Sequence, residues 1–398
     1  MELIVERKAL QSLLSQVNGK FQLIADQESG MAYSVHDSGL YLVKTGVPAL
    51  IKASGFVDLD VVDLRRIATA VGDSATIRLE DKNLKVKSEH LEALIPALAS
   101  SAPELGKEIL ARFDPDCMNL LFECDPETLD SLLQGAFAFQ PGKVSSAFNV
   151  FELSRGGEGK RYLQCVSTTG VVLSMFRISE PAAEEDQARP KFRIYLPLAA
   201  QKIIRIACRW AAESGDKVAV YGEKHDTSCL VSTSSGRIAF LVARAADSRF
   251  PDPAVVEKLV ASSKNLAVAR LSVKGGALAE AFDLCASLSA DETAKTSVSV
   301  SDDGTLKISN VTGSSFVVRE VPGSLESGSQ AKVVINANFA STMARRILQA
   351  GDAEELDMFI SPPEAGKQNM LVMSQKREED YQMWQFLMSF AAEAAASA

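Results

Sequence analysis

The chain has 398 residues, more than one hydrophobic core usually serves, so several domains are expected. With 46% hydrophobic and 23% charged residues it has the make-up of a globular protein, and no apolar run approaches the roughly eighteen residues of a membrane span. A net charge of −9 speaks against a uniformly basic nucleic-acid binder and moves the question to where the basic side chains lie.

The opening MELIVERKAL carries acidic residues and no apolar stretch, so it does not read as a signal peptide. Leu10, Leu13 and Leu14 recur at i, i+3, i+4 and predict one buried helix stripe. DLRRIATAVGD predicts a second helix closed at Gly72-Asp73, where a glycine at positive φ is a common stop. SATIRLEDKNLKVK then predicts a hairpin with Ile77, Leu79, Leu84 and Val86 on one face. Asp114-Pro115-Asp116 marks a boundary.

DPETLDSLLQGAF begins the layout again, with Leu129, Leu132 and Leu133 at the spacing of the first copy. Arg155-Gly156-Gly157-Glu158-Gly159-Lys160 lies between strand-like runs and reads as a hairpin turn. A phosphate loop would need an earlier glycine, and Ser or Thr where Arg161 stands. Residues 180–191 read as a solvated loop. AAQKIIRIACRWAAESGD predicts a helix ending at Gly215-Asp216, with a hairpin after it that places Val218 and Val220 on one face. Pro251-Asp252-Pro253 and the polar Ser262-Ser263-Lys264 mark the second boundary. The third copy follows: VKGGALAEAFDLC with Leu278, Ala281 and Phe282, then FASTMARRILQAGD closing at Gly351-Asp352, then the strand-like ELDMFIS and QNMLVM.

The expected fold class is α+β, with three tandem units of two helices packed on antiparallel sheets, at residues 1–118, 119–258 and 259–375. A tail at 376–398 follows. Its Tyr381, Trp384, Leu387 and Met388 fall at helical spacing and its end is rich in alanine, so a helical extension is expected, either packed on the body or offered to a partner.

Six residues before each helix-ending glycine stands an arginine: Arg66, Arg209 and Arg345. Arg65, Lys202, Arg205 and Arg346 lie nearby. Positions 202, 205 and 209 share one helix face, with Ile203, Ile204, Ile206 and Ala207 on the other. On one helix this would be an ordinary solvated face, with arginine favouring the C-terminal dipole. Repeated on three helices it predicts a basic lining for one polyanion, double-stranded DNA held through its phosphates without sequence preference.

Catalytic, metal and cofactor sites are not expected. The six cysteines (117, 124, 165, 208, 229 and 285) form no C-x-x-C pair and read as free thiols of a reducing compartment. His36, His90 and His225 sit in no metal or triad pattern.

MELIVERKALQSLLSQVNG, LQCVSTTGVVLSMF and above all Ser248-Arg249-Phe250-Pro251-Asp252, in that order along three units, resemble the bacterial DNA polymerase III beta subunit, the sliding-clamp family. The resemblance spans about residues 1–375. It implies a DNA-clamp fold, ring-forming as a head-to-tail homodimer around duplex DNA, in the cytoplasm and away from membranes. It also implies that the replicative polymerase and clamp loader dock short peptides in a pocket. By the same resemblance the pocket falls on Thr168, Gly170, Val171, Val172, Leu173, Pro251, Val256, Leu371, Val372 and Met373. The same residues would serve equally as an inter-domain core. Val171-Val172 stand where the family has His-Arg, Pro253 where Tyr follows Pro-Asp, and Met373-Ser374-Gln375 where the last strand reads Met-Pro-Met. These departures imply a more apolar pocket and a different peptide. Gln382-Met383-Trp384-Gln385-Phe386 resembles the docking peptides themselves, except for Gln385 at the key apolar position. The alternatives are a clamp-fold scaffold that does not encircle DNA, and an enzyme acting on a nucleotide, for which no ionisable cluster stands out.

Overall fold

A computed structural model describes residues 1–39, 41–98, 105–135, 150–156, 162–168, 171–179, 191–222, 228–244, 253–289, 294–310, 316–350, 354–361, 370–377 and 381–388. One order of elements occurs three times: a strand, a helix, several antiparallel strands, a second helix and three more strands. The first copy comprises β1 (Glu2–Glu6), α1 (Arg7–Leu14), β2 (Lys20–Asp26), β3 (Met31–Asp37), β4 (Tyr41–Pro48), β5 (Leu50–Ala53), β6 (Gly55–Asp60), α2 (Val61–Ala70), β7 (Ser74–Glu80), β8 (Asn83–Ser88) and β9 (Leu91–Pro96). A short helix α3 (Leu105–Ala111) and a 3-10 turn at Pro115–Cys117 lead to the second. That copy comprises β10 (Asn119–Cys124), α4 (Pro126–Gly135), β11 (Val150–Gly156), β12 (Tyr162–Thr168), β13 (Val172–Ser179), β14 (Phe192–Pro197), α5 (Leu198–Ser214), β15 (Val218–Gly222), β16 (Ser228–Thr233) and β17 (Ile238–Ala243). A helix α6 (Pro253–Asn265) takes in the Ser262-Ser263-Lys264 stretch that the sequence marked as a boundary. The third copy is β18 (Ala269–Lys274), α7 (Gly275–Ser287), β19 (Lys295–Val300), β20 (Leu306–Asn310), β21 (Val318–Val321), β22 (Gly323–Gly328), β23 (Ala331–Asn336), α8 (Ala337–Ala350), β24 (Glu355–Ser361), β25 (Met370–Arg377) and β26 (Tyr381–Met388).

The helix stripes are where the spacing puts them. Leu10, Leu13 and Leu14, Leu129, Leu132 and Leu133, and Leu278, Ala281 and Phe282 are all buried. Burying each large side chain contributes about 1.5–3 kcal/mol. Asp60 caps α2 by accepting from the Val62 amide at 2.9 Å, and Asn336 caps α8 by accepting from Asn338 and Phe339. The helix stops are not alike. Gly215 closes α5 at φ 71, but α2 ends at Val71 in an extended conformation and Gly72 does not take positive φ. Gly351 lies outside the described residues. The hairpin read at Arg155-Gly156 is present, with Gly156 paired to Tyr162.

By contact the chain forms two compact units. Unit one (Met1–Asp130 and Pro197–Arg244) holds a five-stranded sheet, β5-β1-β7-β8-β9, and an eight-stranded sheet, β10-β15-β16-β17-β4-β3-β2-β6. In the larger sheet β17 of the second copy pairs antiparallel with β4 of the first, from Ile238 opposite Thr45 to Val242 opposite Tyr41. Unit two (Ser131–Leu196 and Ala245–Ala398) holds a nine-stranded sheet, β14-β11-β12-β13-β26-β25-β24-β18-β22, and a four-stranded sheet, β21-β20-β19-β23.

The helical reading of the tail is corrected. Tyr381–Met388 is a strand that pairs with β13 on one side and β25 on the other. A strand inside a wide sheet can be apolar on both faces, so its apolar residues fit helical and strand periods alike. The repeat decides between them. After the second helix the first copy has β7-β8-β9 and the second has β15-β16-β17, so β26 completes β24-β25-β26 in the third. Residues 389–398 lie outside the described residues.

Candidate nucleic-acid interface and partner pocket

The basic residues named from the sequence fall into two groups. One group ties each second helix to the first helix of its copy. Arg65 of α2 donates to the Leu14 and Val17 carbonyls at the end of α1, at 2.9 and 2.7 Å. In return Arg7 of α1 donates to the Thr69 carbonyl at the end of α2, at 2.8 Å. These guanidinium groups add donors at and just beyond helix ends, where intrahelical donors run out, and the Leu14 carbonyl also accepts from the Val17 amide. Arg205 of α5 pairs with Asp130 of α4 at 2.7 Å. Arg345 of α8 pairs with Asp283 of α7, which also accepts from the Ser341 hydroxyl. Burial pushes the Asp283 carboxyl up, but the Ser341 and Arg345 bonds outweigh it and hold the group below the usual carboxylate range.

The second group is Arg66, Lys202 and Arg209. All three are exposed and make no side-chain bond with the described residues. Lys202, Arg205 and Arg209 share one face of α5, while Ile203, Ile204 and Ala207 are buried beneath. Arg346 is half-buried and has a partner of its own.

The residues named for the partner pocket lie in unit two. The Thr168 hydroxyl donates to the Val172 carbonyl at 2.9 Å and closes the turn between β12 and β13, while Val171 is 46% exposed. Leu173, Val256 and Val372 pack with Val166, Met175 and Phe359 into one buried cluster that seats α6 on the sheet. Leu371 and Met373 are also buried. Leu371, Val372 and Met373 all lie on β25, and β26 separates β25 from β13. The strand beside Val172 and Leu173 is β26, with Leu387 opposite Val172 and Phe386 opposite Leu173. Three strands after each of the first two Gly-Asp pairs is the sequence signal for this last strand. Gly170, Pro251 and the Ser248–Asp252 motif lie outside the described residues.

Among the described residues no three His, Cys, Asp or Glu side chains gather as a metal site, and no helix is long and apolar enough to cross a membrane. His36 is buried on β3 with Nδ1 2.9 Å from the Lys20 carbonyl, a structural position. None of the six cysteines is in a disulfide. Burial pushes the thiols of Cys165, Cys208 and Cys229 up, the last to about 12, which favours the protonated form.

No protein-family model and no curated protein matches the sequence. Solved structures do match it. The DNA polymerase III subunit beta of Pseudomonas aeruginosa superimposes with a TM-score of 0.75 at 18% identity, over 98% of this chain and 100% of that one. Caulobacter crescentus pol III beta gives 0.75 at 17%, over 98% and 100%. A sliding clamp of Bartonella birtlesii bound to griselimycin gives 0.74 at 15%, over 98% and 99%. The fold is that of a bacterial DNA sliding clamp. That coverage leaves too few residues unmatched to exclude the segment from Lys376 onward, so the clamp fold takes in β26. The chain is thus similar to these clamps beyond residue 375, where the sequence resemblance stopped.

Proposed function

We propose that the chain is a divergent DNA polymerase III beta subunit acting as a sliding clamp, a non-enzymatic tether that encircles duplex DNA. One observation carries this reading. Two joints of the same kind are closed within the chain, β4 with β17 and β13 with β26, while their counterparts β21 and β9 are sheet edges. A sheet edge offers unpaired backbone groups and seeks a strand. Pairing β21 of one copy with β9 of the next repeats the joint head to tail, and two copies close a ring.

The domains of this reading are residues 1–118, 119–258 and a third from 259 through β26. The exposed Arg66, Lys202 and Arg209 supply phosphate contacts, with Arg65 and Arg346 adding positive potential behind them, while the charges of Arg205 and Arg345 are offset by Asp130 and Asp283. The replicative polymerase and clamp loader dock short peptides beside the turn that carries Val171, and the clamp works in the cytoplasm. Support comes from the chain-long likeness to structures named as polymerase clamps. The experiment is topological: load the protein on nicked circular DNA, then linearise the DNA. Retention should require a closed circle, and retention on linear DNA would sink the reading.

The alternative is a clamp-fold scaffold that does not encircle DNA. It draws on the use of Arg65, Arg205 and Arg345 in helix pairing. A monomer at micromolar concentration, with no ring in electron micrographs, would favour it.

A further inference from the structure

Unit one holds a cleft of about 540 Å3 lined by Asp37, Gly39, Tyr41, Leu42, Arg112 and Leu241, among others. Its strands stand in the same register as those around Thr168, Val172 and Leu173 in unit two. Asp37 pairs with Leu42 across the β3–β4 turn as Thr168 pairs with Leu173 across the β12–β13 turn. The stretches between these paired residues are equally long in sequence, with Gly39 and Gly170 at the same place in the count. On the other side, Leu42 lies opposite Leu241 as Leu173 lies opposite Phe386, and Tyr41 lies opposite Val242 as Val172 lies opposite Leu387. The cores beneath correspond as well: Val35, Leu42, Leu230 and Tyr221 stand in one cluster where Val166, Leu173, Val372 and Phe359 stand in the other.

From this correspondence, and resting on the peptide-docking reading of unit two, we infer that the unit-one cleft is a second docking site for a short extended peptide bearing an apolar side chain beside a carboxylate. Leu42, Leu241 and Met118 form the apolar part of the lining, and the volume lies in the range of about 300–1,000 Å3 that takes such groups. Arg112 is exposed and has no ion-pair partner among the described residues, so it receives the carboxylate. Asp37 stands where unit two has Thr168 and adds a negative charge. The occupant therefore turns its carboxylate toward Arg112 and away from Asp37, and the two sites select different peptides.

Cys117 lines this cleft and is exposed, so its alkylation reports occupancy. The probe is a capped pentapeptide, Gln-Leu-Phe-Asp-Gly, added to the full chain, with binding measured by calorimetry and Cys117 alkylation by iodoacetamide followed by mass spectrometry. At four times the dissociation constant, alkylation should slow about fivefold by mass action. Arg112→Glu should abolish the slowing, and Val171→Glu in unit two should leave it intact. Peptide binding that Val171→Glu removes, with Cys117 alkylated at its free rate throughout, overturns the inference and leaves the unit-two reading standing. Slowing of Cys117 with binding untouched by Val171→Glu supports this site and removes the other. No binding at all removes both.

Discussion

Arg65 and Arg66 are neighbours in sequence with different work to do. The Arg65 guanidinium holds the end of α1, while Arg66 is exposed and has no side-chain partner among the described residues. Arg65→Ala should cost about 1.5–3 kcal/mol in denaturant unfolding, the range for hydrogen bonds to a charged group, and change the salt dependence of DNA binding less than Arg66→Ala does. Arg66→Ala and Arg209→Ala should keep stability, and each should lower the slope of log affinity against log salt by about one unit. Arg345→Ala should do less to the slope, because Asp283 already neutralises that charge. Equal slopes for all four variants would contradict this division. Asp283 gives a pH signature. Its folded pKa is depressed, so its stabilisation is present above its unfolded pKa of about 4 and fades as pH falls through the folded value. Asp283→Asn should lower the thermal midpoint at neutral pH and do so by less as pH falls below about 4; equal destabilisation at neutral and acid pH would show that charge is not the cause. The sequence made these arginines legible as helix-face residues, since spacing fixes the face. It could not tell paired from free, because the partners are Asp130, Asp283 and the carbonyls of α1, which belong to other helices.

The helices were the readable elements. A stripe facing one core leaves an unmixed period, and Leu13, Leu132 and Ala281 are buried as that period requires. The last strand was not readable. β26 lies inside a nine-stranded sheet, and its apolar residues do not alternate cleanly with polar ones. β26 also stands between the pocket residues named on β25 and those named on β13, Val172 and Leu173. The role of β26 is open to a direct measurement. A chain stopped before Tyr381 leaves β13 and β25 with unpaired backbone. Amide hydrogens of those two strands should then exchange rapidly, while β4 and β17 keep their protection. Unchanged protection in β13 and β25 would show that β26 is dispensable.

For the whole molecule, repeat boundaries and contact units differ because the wide sheets pass from one copy to the next. β17 joins β4 and β26 joins β13, so each compact unit contains parts of two copies. Sequence periodicity counts the copies but is silent on these joints. The joints carry a register, and the register extends to the open edges. Aligning Asp73 with Asp216 and following β7-β8-β9 against β15-β16-β17 sets Leu94 at the position of Leu241. Following β19-β20-β21 against β2-β3-β4 sets Phe316 at the position of Leu42. Leu42 and Leu241 face each other in the closed joint. Phe316 is 81% exposed and Leu94 63% exposed, high values for large apolar side chains that another copy would cover. Opposed residues of antiparallel strands lie about 4.5–5.5 Å apart at Cα, within reach of a disulfide. A chain carrying both Leu94→Cys and Phe316→Cys should therefore oxidise to a covalent dimer on a non-reducing gel, and neither single variant should. Leu50 is as exposed as Leu94 but lies on β5, at the opposite edge of the same sheet. Leu50→Cys with Phe316→Cys should stay monomeric under the same oxidant; equal crosslinking of the two pairs would mean that copies meet at random rather than through β9 and β21.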